Sequence, residues 1–108
     1  MTTQSTRLLQ EAMQSLSFGS ISGTYALVGE TANPSQVYFV QNLTNATITF
    51  SQDGINDTFQ LPTQGFLLID AGTNHGTAGY SSFQAGTPLY AKGTPGSGQV
   101  NLTTWYLG

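Results

Sequence analysis

The single histidine, His75, follows Asp70 in the segment Asp70-Ala71-Gly72-Thr73-Asn74-His75-Gly76. A carboxylate, an imidazole and a hydroxyl are the parts of a nucleophilic dyad or triad, in which the acid orients the base. Ser81 and Ser82 lie just downstream, but in no motif resembling a nucleophile elbow. The Gly-rich setting instead reads His75 as a polar loop residue. A second cluster, Asp53-Gly54-Ile55-Asn56-Asp57, could offer side-chain oxygens to calcium. Calcium takes about six to eight oxygens, and this spacing is not that of an EF-hand loop. The bland alternative is a hairpin turn in which Asx side chains hydrogen-bond the backbone. Trp105 beside Tyr106 is the third candidate. A lone Trp on a β-sandwich can stack on a sugar ring, with Tyr80 or Tyr90 in support, or it can fill a core or an interface.

Other chemistry is poorly provided for. There is no cysteine, so neither a disulfide framework nor a Cys-based zinc site can form. The stretch Gly93-Thr94-Pro95-Gly96-Ser97-Gly98 lacks the following helix of a phosphate loop and reads as a hairpin connection. The Asn-x-Thr triplets at Asn42, Asn45, Asn56 and Asn101 are expected by chance in a Thr-rich chain. No metal, no cofactor and no enzymatic activity are expected.

Composition narrows the classes further. The 108 residues suffice for one domain. Charged residues make up 6%, namely Arg7, Lys92, Glu11, Glu30, Asp53, Asp57 and Asp70, against about 25% in ordinary soluble proteins. No apolar run approaches the roughly 20 residues that span a bilayer, so no membrane partner is expected. Aromatics at 11% with abundant Thr, Val and Ile argue against disorder. What remains is a domain largely covered by neighbours, its polarity carried by Thr, Ser, Gln and Asn, which desolvate at less cost than ions. A net charge of −3 with two basic residues gives no footprint for phosphates, so no direct nucleic-acid contact is expected. No secretory signal stands at the N-terminus and cysteine is absent, which points to synthesis in a reducing cytosol.

Two segments must position these residues. Leu8, Leu9, Ala12, Met13 and Leu16 draw one apolar stripe at helical spacing, with Ser5 or Thr6 able to cap the start and Gly19 the end. Residues 1–22 therefore read as a helical arm and linker, with Leu8, Leu9, Met13 and Leu16 as its partner-binding side. Residues 23–108 read as all-β. Strands are expected at Thr24–Val28, Gln36–Leu43, Thr47–Gln52, Thr58–Leu61, Phe66–Asp70, Gly79–Phe83, Pro88–Lys92 and Gln99–Leu107, separated by Gly, Asn, Pro and Asp. Asp53-Gly54 is a tight-hairpin cue. The expected fold is a seven- to eight-stranded antiparallel sandwich or jelly roll with a short N-terminal helical arm. In two strands both faces are apolar. Val37 and Phe39 oppose Tyr38 and Val40, and Phe66 and Leu68 oppose Leu67 and Ile69. Tyr38, Val40, Leu67 and Ile69 are expected at a subunit interface, unless the arm covers them.

The progression Gln41-Asn42-Leu43-Thr44, Asp53-Gly54-Ile55-Asn56-Asp57, Leu61-Pro62, Gly65-Phe66-Leu67-Leu68-Ile69-Asp70 and Tyr90-Ala91-Lys92 before Pro95-Gly96-Ser97-Gly98 resembles a group of small virion proteins of tailed bacteriophages. The likeness covers roughly residues 23 to 108, and departs from the group at Thr58, where a His often follows the Asn-Asp pair. It implies a structural component of the virion, either a capsid decoration or minor capsid protein or a head–tail connector, collar or tail ring. Implied partners are further copies of the chain and other virion proteins (capsid, portal or tail). A carbohydrate-binding module using Trp105 is the rival from another class.

Overall fold

The computed structural model describes residues 8–71, 75–76, 79–80 and 83–107, with the backbone alone at 75–76, 79–80 and 107. The strands are β1 (Leu8–Gln10), β2 (Gln14–Ser17), β3 (Ala26–Glu30), β4 (Ser35–Asn42), β5 (Ile48–Ser51), β6 (Phe59–Leu61), β7 (Phe66–Asp70), β8 (His75–Gly76), β9 (Gly79–Tyr80), β10 (Pro88–Lys92) and β11 (Gln99–Leu107). A short 3₁₀ turn, Phe18–Ser20, follows β2. Among the described residues, nine strands build two antiparallel sheets. The first runs β1-β11-β4-β7 with β2 also on β11, and the second runs β3-β10-β5-β6. The small pair β8–β9 stands apart from both.

Alternation decides what lies between the layers. From the first sheet, Tyr38 and Val40 of β4 and Val100 and Leu102 of β11 face inward, fully buried. From the second come Val28, Ile48, Phe50, Leu61, Leu89 and Ala91, joined by Ile21 from the connection before β3. Phe50 stacks on Phe59 with ring centroids 5.0 Å apart, and Tyr38 meets Phe83 at 4.9 Å. Fully burying a side chain of this size contributes about 1.5–3 kcal/mol. The product is a two-layer all-β sandwich.

The N-terminal segment is not a helix. Residues 8–17 run antiparallel along β11, which pairs with β4 on its other side. The register explains the misleading spacing. Leu9 faces Tyr106 and Gln10 faces Trp105, whereas Gln14 faces Leu102 and Leu16 faces Val100, so one extra residue is accommodated over Glu11–Met13. That bulge brings Leu9 and Leu16, seven residues apart in sequence, to the same inner face. In a helix the same separation is two turns. Backbone pairing with an otherwise open β11 edge outweighs a helix of about three turns, which is marginal alone. The boundary expected after residue 22 accordingly falls within a single sandwich. Ser5, Thr6 and Arg7 lie outside the described residues.

Asp53-Gly54 makes a wider connection than the tight hairpin expected. Gly54 has φ +76°, and Asp53 is not among the positive-φ residues, as a two-residue type I′ turn would need. Phe50 pairs with Phe59 across the whole Gln52–Thr58 loop.

Candidate interaction surface

The outward side of the first sheet is unusually apolar. In β7, Phe66 and Leu68 point away from the core, 63% and 55% exposed. Leu68 lies opposite Phe39 of β4, and Phe66 opposite Gln41. The Phe66 and Phe39 rings meet at 5.8 Å, inclined by 60°, an edge-to-face type of contact. Val37 and Phe39 are half-buried on this side. Beside them on β11, Thr103 faces Phe39 and Trp105 faces Val37. Ile55 and Leu27 are exposed too, but on separate elements, and scattered apolar residues are normal. The group Phe39, Phe66 and Leu68 is contiguous. β7 is also the terminal strand of its sheet, and an apolar edge strand is a ready template for association.

This geometry reverses the expected interface. Tyr38 and Val40 are completely buried between the two sheets of one chain, and Leu67 and Ile69 pack half-buried against the same core. Among the described residues, no helix covers the other side. Alternation showed which residues share a face, but inwardness depends on where the second sheet lies. The arm residues divide likewise. Leu9 and Leu16 are half-buried under the sandwich edge, whereas Leu8 and Met13 are 50% and 51% exposed. Trp105 is half-buried and lies between Gln10 of β1 and Val37 of β4.

Polar residues hold the ends of this face in place. Asn42, fully buried at the end of β4, has its amide nitrogen 2.9, 2.9 and 3.1 Å from the carbonyls of Ala46, Leu61 and Pro62. Its side-chain oxygen accepts from the Thr44 backbone N–H at 3.0 Å and the Thr44 hydroxyl at 2.6 Å. Its backbone N–H donates to the Gly65 carbonyl, and its carbonyl accepts from Gln64 N–H. One amide thus ties the β4–β5 loop to the Pro62–Gly65 turn that launches Phe66. The turn closes with Gly65 N–H donating to the Pro62 carbonyl at 2.8 Å, and Gln64 sits at φ +67°. Sequence reasoning missed this role of Asn42. Its amide sits beside that of Gln41 at the end of an apolar run, and nothing in the sequence set the two apart.

Most of the described charges gather at the opposite sheet. Asp53 Oδ1 accepts from the N–H groups of Asn56 and Ile55, each at 2.8 Å, and from the Ser51 hydroxyl at 2.8 Å, while Oδ2 takes the Asn56 amide. Those donors, the Asn56 N–H foremost, hold its carboxyl far below the usual range. Such a carboxylate is committed to its own loop and is a poor proton acceptor. Asp57 accepts from the Tyr25 hydroxyl and pairs with Lys92 at 3.1 Å, and both contacts lower its pKa. Lys92 also lies 4.6 Å from the centre of the Tyr25 ring. Burial, then the Asp57 hydrogen bond and charge, then the charge of Asp53, push the Tyr25 phenol up to about 12. Tyr38 is pushed up by burial, with partial relief from Gln52 at 3.4 Å.

No group of three or more His, Asp or Glu side chains that could hold a metal occurs among the described residues. Ser81 and Ser82 lie outside the described residues, as do the side chains of His75 and Tyr80. Among the described residues, no helix is long and apolar enough to cross a membrane. No protein-family model, curated protein or solved structure matches the chain.

Proposed function

We propose that this chain is a homo-oligomeric structural component of a tailed-phage virion, a capsid decoration or minor capsid protein that binds a repeated particle surface. A head–tail connector, collar or tail ring protein is the alternative placement. The observation that carries the reading is the contiguous apolar outer face of Phe39, Phe66 and Leu68 on a domain with almost no charge. Those residues contribute little to the chain's own core, so contact with a neighbour is the use their chemistry fits. Polar but uncharged surroundings lower the desolvation cost of such contacts, and repetition on a lattice sums weak contacts into tight binding. The phage-like sequence progression supplies the class of particle. Within it, Asn42, Leu61-Pro62 and Gly65 meet at the turn that presents Phe66. The protein is read as made in the bacterial cytoplasm and resident in the virion, with no catalytic step, cofactor, membrane or direct nucleic-acid contact.

Sedimentation with purified capsids from the phage's own host tests this reading. The native chain should pellet with shells at a fixed stoichiometry, and Phe66→Ser/Leu68→Ser should remain in the supernatant. If both stay in the supernatant, the reading fails. A carbohydrate-binding module is the second reading, favoured by the half-exposed setting of Trp105 on this same sheet. Calorimetric titration with a glycan panel decides it: heat that disappears in Trp105→Ala would replace the virion assignment, and silence against every glycan removes the rival.

A further inference from the structure

The N-terminal strands are fixed to the sandwich by backbone pairing on one side and by side chains on the other. Backbone pairing joins residues 8–17 to β11. Across the gap to the second sheet, two side chains do the holding. Gln14 lays its amide along the edge of β3, donating to the Glu30 carbonyl at 2.7 Å and accepting the Glu30 N–H at 3.0 Å. It thereby imitates one residue of a neighbouring strand. A Cβ at Gly29 would lie 2.3 Å from the Gln14 side-chain oxygen, so the amide needs a glycine beneath it. Glu11 accepts from the N–H groups of Ala32 and Asn33 at 3.1 and 2.9 Å, the Asn33 amide at 3.1 Å and the Thr104 hydroxyl at 3.0 Å.

Further contacts are the Ser15 hydroxyl donating to the Asn101 side-chain oxygen and Leu16 packing against the core. None of residues 8–17 is fully buried, and Leu9 and Leu16 are only half-covered. The chain is next anchored by the buried Ile21. The pivot between is the 3₁₀ turn Phe18–Ser20, which contains no buried residue. Straightening so short a pivot would carry the strands off their own β11.

We propose that residues 8–17 are an exchangeable edge strand that can pair with β11 of a second copy of this chain, with Glu11 and Gln14 as its latch. Every contact of the closed form is reproduced between copies, which makes exchange a low-cost route to a dimer. The proposal rests on the N-terminal strands and not on the apolar outer face. Acid opens the latch. Around Glu11, the β3–β4 turn presents Ala32 and Asn33 and β11 presents Thr104, all neutral. The charged residue of the adjoining β3 is Glu30, whose backbone Gln14 holds. Burial alone would raise the Glu11 carboxyl, and the donors from Ala32, Asn33 and Thr104 outweigh it and lower the pKa. The latch is therefore complete above about pH 4.3, the ordinary glutamate value, and lost as pH falls through the lower folded-state value.

The test uses the absence of native cysteine. Ser15 and Asn101 face each other across β2 and β11, their side chains 2.8 Å apart. Phe18 N–H bonds the Gly98 carbonyl in the same ladder, so alternation makes Ser15/Asn101 a non-hydrogen-bonded pair, where side chains approach closely. Ser15→Cys/Asn101→Cys should oxidise within one chain when kept dilute at neutral pH. After a pulse below pH 3 at high concentration and return to neutrality, it should give disulfide-linked dimers on a non-reducing gel. Adding Glu11→Gln should yield dimers at neutral pH. The same experiment in the Phe66→Ser/Leu68→Ser background separates exchange from association through the outer face. Intrachain disulfide alone after the acid pulse, in both backgrounds, would overturn the proposal.

Discussion

Asn42 and Phe66 lie at opposite ends of one structural link and invert the usual rule in opposite senses. The amide is fully buried, and the aromatic ring at the far side of the Pro62–Gly65 turn is mostly exposed. The buried polar group is stabilising because all of its hydrogen-bonding capacity is met, by the Ala46, Leu61 and Pro62 carbonyls on one side and Thr44 on the other. The exposed apolar ring rests against Phe39 and lies opposite Gln41. One residue fixes the shape of the turn, and the other uses that shape to face outward. A chain so poor in charge assigns neutral polar side chains to internal joints and leaves large apolar ones on its surface.

The largest expected effect is on the internal member. Asn42→Ala leaves the buried Leu61 carbonyl, the part-buried Ala46 and Pro62 carbonyls and the Thr44 donors without this partner, and should cost on the order of 3 kcal/mol in urea unfolding. Asn42→Asp should fare no better, since a carboxylate accepts but cannot donate to the three carbonyls. A loss under 1 kcal/mol would show that the joint is dispensable. Next comes Gly29→Ala, whose methyl displaces the Gln14 amide from β3. It should cost about 1–2 kcal/mol by leaving Glu30 backbone groups without that partner. Faster hydrogen exchange should be confined to residues 8–17 and β3, and unchanged exchange there would contradict the latch geometry.

A smaller effect comes from Tyr25. Its phenol is raised to about 12 in the folded chain against roughly 10 in an unfolded one. The contribution is thus fully present below pH 10 and is lost as pH rises toward 12. Tyr25→Phe loses the hydroxyl donor to Asp57. It should lower stability by about 1 kcal/mol through the neutral region and flatten the alkaline limb of the stability–pH curve. An identical alkaline limb in the variant would assign the loss to other groups.

Much of this architecture was legible in the residues. Phe66–Asp70, Pro88–Lys92 and Gln99–Leu107 form strands at the expected bounds because each is a β-rich run closed by turn residues on both sides. β3, β4, β5 and β6 shift by a residue or two at their ends, β8 was not expected, and residues 81–82 of the strand expected at Gly79–Phe83 lie outside the described residues. The arm was misread because a bulge over Glu11–Met13 lets a strand place residues seven apart on one face, as a helix would. That Val37 and Phe39 share one side of β4, and Phe66 and Leu68 one side of β7, followed from period-two alternation. Which pair faces solvent did not, because it depends on sheet packing between segments distant in sequence. The joint at Asn42 was hidden for the same reason, its partners Leu61 and Pro62 belonging to another strand's end.

The most direct test of the outer face is sedimentation velocity of the native chain and of Phe66→Ser/Leu68→Ser over a range of concentrations. The native sedimentation coefficient should rise with concentration, and the variant should remain one compact monomer boundary throughout, showing that these side chains serve contacts between molecules and not the fold. Superimposable concentration dependence, or an expanded slow boundary for the variant, would contradict that account and return Phe66 and Leu68 to the stability of the sandwich itself.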